Sequence, residues 1–113
     1  MGSDSIFSKI IRGELPADKV FENERIVAFK DINPSAPIHI LIVPKKEIPD
    51  LQSVKADDLP IIGEIITLAQ TLAERFEITD GYRLLTNNGP LAGQTVLHLH
   101  FHLIGGRKLG ALA

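Results

Sequence analysis

The chain has 113 residues, enough for one domain with a real core and too few for two, and its 44% hydrophobic and 23% charged residues exclude a disordered or a membrane composition. Against 14 Asp plus Glu stand 12 Lys plus Arg, a formal net charge of -2, with no basic run that would track a nucleic-acid backbone. Cysteine is absent, which removes disulfides, thiolate chemistry and Cys-containing zinc patterns.

The start, MGSDSIFSK, carries neither a basic n-region nor an apolar h-region, and no stretch approaches the length that spans a bilayer, so a cytoplasmic protein is expected. Ser3 or Asp4 is placed to cap a short helix whose Ile6, Phe7, Ile10 and Ile11 recur at helical spacing, with Gly13 and Pro16 ending it. KVFEN, a turn at Asn23-Glu24, and RIVAFKD read as a hairpin, with Ile26, Ala28 and Lys30 facing one way and Val27, Phe29 and Asp31 the other. INPSAP holds two prolines and reads as a loop. IHILIVPKK is nearly continuous in its hydrophobicity, which predicts a strand central in a sheet and closed by Pro44.

The longest helix is predicted from Asp57 or Asp58 to about Phe76, with Leu59, Ile62, Ile65, Ile66, Ala69, Leu72, Ala73 and Phe76 on its apolar face. GYRLLTNN is another strand, GPLAG a tight loop, and residues 95–104 the last strand, ended by Gly105-Gly106; residues 107–113 form a short tail. Consecutive strands without helical crossovers favour an α+β domain spanning 1–113, a mostly antiparallel sheet with its helices on one face.

The segment TVLHLHFHLIGG alternates imidazole with hydrocarbon. On a strand, period two puts His98, His100 and His102 on one face, about 6.6 Å between neighbours, and Leu97, Leu99, Phe101 and Leu103 on the other. Three readings compete. The histidines are polar residues on a wet sheet face; or a pair of them, completed by His39, holds a metal ion, although the outer two lie about 13 Å apart on a straight strand. The third is nucleophilic and acid-base chemistry on phosphorus, with the amides and hydroxyl of the neighbouring NNG and GPLAGQT stabilising a transferring phosphoryl group.

GQTVLHLHFHLIGG resembles the histidine triad motif, and FKDINPSAPIHILIVPKKEI, IFSKIIRGELPADKVFENERIVAF and GYRLLTNNGPLAGQTV are similar to the HINT branch of that superfamily, the small nucleoside phosphoramidases also called protein kinase C interacting protein homologues. The similarity runs along nearly the whole chain. It implies an α+β protomer with a five-stranded antiparallel sheet, one long and one short helix, and a homodimer. It also implies hydrolysis of purine nucleoside 5′-phosphoramidates to a nucleoside monophosphate and an amine, without a metal or other cofactor. Neither nucleic acid nor membrane is an implied partner.

Carried onto this sequence, the resemblance makes His100 the covalent nucleophile. His98 orients it, His102 contacts the phosphate and handles protons, and His39 extends the imidazole network. Asn87, Gln94 and Thr95 would contact the phosphate or leaving group, Thr95 standing where the branch often has serine. Asp31 would accept the ribose hydroxyls, with Phe7, Phe29 and Ile32 as apolar walls around the base. On local grounds Asp31 also reads as a turn cap, and Phe7 and Phe29 as ordinary core. Lys30 replaces a histidine of some relatives, and the tail RKLGALA lacks a tryptophan that some eukaryotic relatives place near the partner's site. The rivals are a nucleotide-binding scaffold or regulatory dimer with negligible turnover, a metal-dependent hydrolase, and a dinucleoside polyphosphate hydrolase.

Overall fold

Ser5 opens the first helix, α1 (Ile6–Ile11): its side chain accepts the amide of Ser8 at 3.1 Å, satisfying one of the donors that a helix start leaves without an intrahelical partner. The computed structural model describes residues 5–112, so the expected caps Ser3 and Asp4 lie outside the described residues, and the capping side chain is Ser5. Phe7 and Ile10 are buried, as their spacing predicts, whereas Ile6 faces outward.

The expected hairpin forms from β1 (Lys19–Glu22) and β2 (Ile26–Lys30). Asn23 makes its turn, Oδ1 accepting the amides of Arg25 and Ile26, each at 2.8 Å. The third strand, β3 (Ile38–Pro44), lies in the middle of the sheet, followed outward by β5 (Phe101–Gly105) and then β4 (Tyr82–Leu85). The order is β1-β2-β3-β5-β4 and every pairing is antiparallel.

The long helix, α2 (Leu59–Arg75), follows a 3-10 turn at Ala56–Asp58. Its buried residues are Ile65, Leu68, Ala69, Leu72 and Ala73, the i, i+3, i+4, i+7, i+8 stripe of an amphipathic helix. Two residues expected on that face are not there: Leu59 is 58% and Ile66 47% exposed, while Leu68, not expected, is buried. Ile66 sits about 100° round from Ile65, so one stripe cannot bury both against a single sheet. No helix among the described residues is long and apolar enough to cross a membrane.

The helices do not share one face, which corrects the expectation. Ile26, Ala28, Ile40 and Ile42 pack with α2, while Val27, Phe29, Leu41 and Val43 pack with Phe7 and Ile10 of α1 on the opposite side. The physical reason is legible in β3 itself: a run apolar at every position has two faces to remove from water, and each needs a cover. The candidate site histidines lie on the α1 face.

Candidate active site

The last strand begins at Phe101, not at Thr95, so only His102 of the three alternating histidines lies in the ladder. The register explains the break. Ile42 pairs with Phe101, and two residues further β3 reaches Pro44, which has no N–H to continue the pairing. The incoming segment bends at residues 96–98 and finds other partners: the Leu99 amide donates to the carbonyl of Ile48 at 2.7 Å, and His98 Nε2–H donates to the carbonyl of Pro44 at 2.8 Å. The face assignment nevertheless holds for most of the segment. Leu99, Phe101 and Leu103 enter the core under α2, the three histidines turn to the α1 face, and Leu97 is 59% exposed.

Hydrogen bonds assign the tautomers. His98 is 1% exposed and anchored through Nε2; its Nδ1, left as a lone pair, has no hydrogen-bond partner among the described residues. His100 donates from Nδ1 to the carbonyl of His98 at 2.7 Å, so its Nε2 carries the free lone pair. His39, opposite Ile104 on β3, accepts the Ser35 amide on Nδ1 at 3.0 Å, which puts its proton on Nε2, 2.9 Å from His102 Nδ1. His102 therefore accepts on Nδ1 and keeps its own proton on Nε2.

Three of the rings are shifted toward the neutral form. Burial pushes the His100 imidazolium below its ordinary range, against the hydrogen bond to the His98 carbonyl. Burial likewise lowers His39, opposed by Asp31, whose Oδ2 lies 3.5 Å from His39 Nε2. His102 is pushed down to about 4, first by burial and then by the neighbouring imidazoles of His100 and His39, with Asp31 again opposing. Two of these lowered imidazoles, His100 and His102, line one cleft, a grouping found at reactive centres.

The cleft has a volume of about 380 Å³. His100 and His102 stand at one end of its lining with Thr95, and apolar walls come from Phe7, Ile10, Phe29 and Leu41. Phe7 meets Phe29 edge to face at 5.7 Å and His100 at 4.8 Å, which fixes both the apolar wall and the His100 ring. Asp31 lines the cleft and also caps the following turn, Oδ1 accepting the Asn33 amide at 2.8 Å, so the two local readings of this carboxylate are compatible. Ile32, 88% exposed, and Thr95 form part of the rim. Lys30 is the cation among the lining residues, 3.7 Å from Asp18. Lys45 and Lys46 pair instead with Glu22 and Asp58.

Asn87 is half-buried after β4 and is not among the residues lining the cleft. Gln94 is 7% exposed, with its amide committed to the loop: Oε1 accepts the Gly89 amide at 2.7 Å, and Nε2 donates to the carbonyls of Pro49 at 2.8 Å and Val96 at 3.0 Å. Gly93, at φ +99, supplies the left-handed turn that brings Gln94 back over this loop. Sequence reasoning did not assign Ile10, Leu41 or the segment Leu15–Pro16–Ala17 to the cleft. Leu41 was findable, since period two from His39 puts it on the same face, and Ile10 follows Phe7 by three; nothing local marks residues 15–17.

Asp31, His39 and His102 each bring a ligand atom within 4.8 Å of the others, the group among the described residues that could hold a metal ion. The two imidazoles already spend their facing nitrogens on each other. An ion there would displace the proton between them.

Comparison with known proteins agrees with this geometry. The HIT domain model matches residues 12–109. A HIT-like protein of Chlamydia pneumoniae is 50% identical over 109 residues, covering 96% of this chain and 99% of that protein. The purine nucleoside phosphoramidase of Escherichia coli K12 is 47% identical over 113 residues, covering 99% of this chain and 95% of its own length. The crystal structure of a HIT family hydrolase from Legionella pneumophila superposes with a TM-score of 0.92 at 44% identity, covering 95% of this chain and 96% of that one.

Proposed function

The chain belongs to the histidine triad (HIT) family, and from that membership we propose that it hydrolyses purine nucleoside 5′-phosphoramidates, of the adenosine 5′-monophosphoramidate kind, to a nucleoside monophosphate and an amine. The observation that carries the reading is the His100 tautomer: with Nδ1–H held by the His98 carbonyl, a neutral Nε2 lone pair is free at the cleft beside His102. The substrate class of the Escherichia coli relative supports the choice of phosphoramidate.

In this mechanism His100 Nε2 attacks phosphorus in line with the amine. A phosphoryl anion in the cleft opposes the forces that hold His102 near about 4, so His102 takes up a proton as substrate binds. The added proton sits on Nδ1, on the side of the Asp31 carboxylate, and His102 gives its Nε2 proton to the departing nitrogen as the P–N bond breaks, leaving a nucleotidyl-imidazole on His100. Water then adds to phosphorus, its proton passes to His102, and the P–Nε2 bond breaks to release AMP or GMP. Asp31 accepts the ribose hydroxyls, Phe7, Phe29 and Ile32 enclose the base, and Asn87 and Thr95 contact the phosphate or leaving group. Gln94 serves them by holding the loop that presents Thr95.

The acting unit is a homodimer in the cytoplasm. Two features support the dimer: among the described residues β4 is the terminal strand beside β5 with no strand on its other side, and α2 keeps Leu59 and Ile66 exposed outside the core stripe. A second reading, metal-dependent hydrolysis, is favoured by the Asp31, His39 and His102 group.

Turnover of adenosine 5′-phosphoramidate by metal-free protein beside His100→Ala, with intact-protein mass spectrometry after acid quench, tests the proposal. Turnover and a nucleotidyl adduct on wild type, both absent from the variant, are expected. Turnover that needs added zinc supports the metal reading, and AMP binding without turnover a scaffold.

A further inference from the structure

We infer that Arg107 is a positioning residue for catalysis: through the peptide of Ser35 it fixes the proton on His39, and so keeps the N–H of His102 directed at the cleft. The inference rests on the phosphoramidase reading for its kinetic consequence and on geometry alone for its cause.

The geometry begins at the glycine pair that ends β5. A Cβ on Gly105 would come within 2.9 Å of Ile78 Cδ1 and 3.2 Å of the Gly81 carbonyl. Gly106 has φ +95, and a Cβ there would stand 3.0 Å from Pro37 Cβ. Both glycines are therefore demanded by contact, and the turn they make lies directly against the loop that joins β2 to β3. From that turn the Arg107 guanidinium reaches across to donate to the Ser35 carbonyl at 2.7 Å, a span of 72 residues in sequence.

The Ser35 amide donates in turn to His39 Nδ1 at 3.0 Å. The two polar groups of Ser35 flank one Cα, so holding the carbonyl limits the displacement of the residue whose N–H meets His39. While that N–H occupies Nδ1, the proton of neutral His39 must sit on Nε2 and point at His102 Nδ1. His102 then has one nitrogen left for its own proton, Nε2. Without Ser35 held in place, His39 gains access to its other tautomer. Two lone pairs would then face each other across 2.9 Å unless His102 turned its proton inward, removing the donor that a phosphoryl oxygen or leaving amine needs. Neighbouring constraint on the loop does not replace Arg107: the Asn33 amide is tied to Asp31 Oδ1 and the Asp31 amide to the His39 carbonyl, but neither bond touches the Ser35 peptide.

The test pairs Arg107→Ala with Arg107→Lys and reads two quantities. Long-range proton-nitrogen spectra of histidine-labelled protein report which ring nitrogen is protonated. Wild type should show His39 protonated on Nε2, Arg107→Ala a mixture of tautomers, and Arg107→Lys, which retains an N–H donor, the wild-type pattern. Kinetically, Arg107→Ala should lower kcat roughly fivefold to tenfold, the order of one hydrogen bond's net contribution, with KM nearly unchanged. Placing Arg107→Ala in a His39→Gln background should produce no further loss, because the route runs through His39. An unchanged His39 tautomer in Arg107→Ala, or an equal loss of kcat in the His39→Gln background, overturns the inference. If wild type fails to turn over any phosphoramidate, the parent reading falls while the spectra still decide this one.

Discussion

Replacing Gln94 with methionine separates two roles for a side chain placed by resemblance among the phosphate or leaving-group contacts and found with its amide bonded to Gly89, Pro49 and Val96. Methionine keeps the length and approximate volume but removes all three bonds. A net hydrogen bond contributes about 0.5–1.5 kcal/mol, and an unmet buried group costs somewhat more. Pro49 is exposed while Gly89 and Val96 are half-buried, so water replaces part of what is lost and the expected destabilisation is roughly 2 kcal/mol. With an unfolding entropy of about 2.1 cal/mol/K per residue, the 113 residues give a Tm lower by about 8 °C. Urea unfolding should show the shift in midpoint with unchanged slope, since the exposed surface on unfolding is the same. AMP affinity should fall only modestly, as the loop carrying Thr95 loosens. A Gln94→Met protein with stability within 0.5 kcal/mol of wild type but no AMP binding would refute the reasoning and make the amide a direct ligand contact.

Three imidazoles shifted toward the neutral form, His39, His100 and His102, make stability depend on pH, and the sign follows from their lowered native values. Above the unfolded imidazole value near 6.5 both states are neutral; below it the unfolded chain binds protons that the native site refuses, so stability falls as pH drops toward about 4 for His102. His102 alone should account for about 2 kcal/mol between pH 7.5 and pH 5, a loss that His102→Asn should flatten in paired urea titrations; an identical slope in the variant would show that the ring titrates normally. Gly106→Ala places a Cβ at φ +95 against Pro37, and a destabilisation above about 1 kcal/mol is expected with a fall in kcat, because the displaced turn carries Arg107. A thermal scan and steady-state kinetics check it, and a variant as stable and active as wild type would show that the turn yields freely.

Much of the site was legible because it rests on period two. Alternation alone put His98, His100 and His102 on the face opposite Leu99, Phe101 and Leu103, and the same rule from His39 reaches Leu41. What failed was continuity. Hydrophobicity does not register that Pro44 withholds a donor from a neighbouring strand, so residues 95–100 read as strand although they leave the ladder. The apolar line on α2 was read too wide for the opposite reason: Leu59 and Ile66 fit a generous helical face, but a single sheet buries only the stripe from Ile65 to Ala73. Residues 15–17 owe their place in the cleft to where α1 docks, a tertiary fact without a local signature.

The break at Pro44 bears on the chemistry as well as the register. A strand that continued past Phe101 would set Leu99 opposite Pro44 and turn the carbonyl of His98 away from β3. With the chain bent at residues 96–98, the Leu99 amide goes to Ile48 and leaves the Pro44 carbonyl to take His98 Nε2–H, while the His98 carbonyl accepts His100 Nδ1–H. The break in the ladder at Pro44 thus accompanies two imidazole orientations, those of His98 and His100. The third, His102, remains in the ladder opposite Leu41 and is oriented from β3 by His39. His100 and His102 are held by different constraints, one by a strand's end and the other by a strand's pairing. Loss of the Ser35 contact should therefore disturb proton delivery while leaving His100 Nε2 in place.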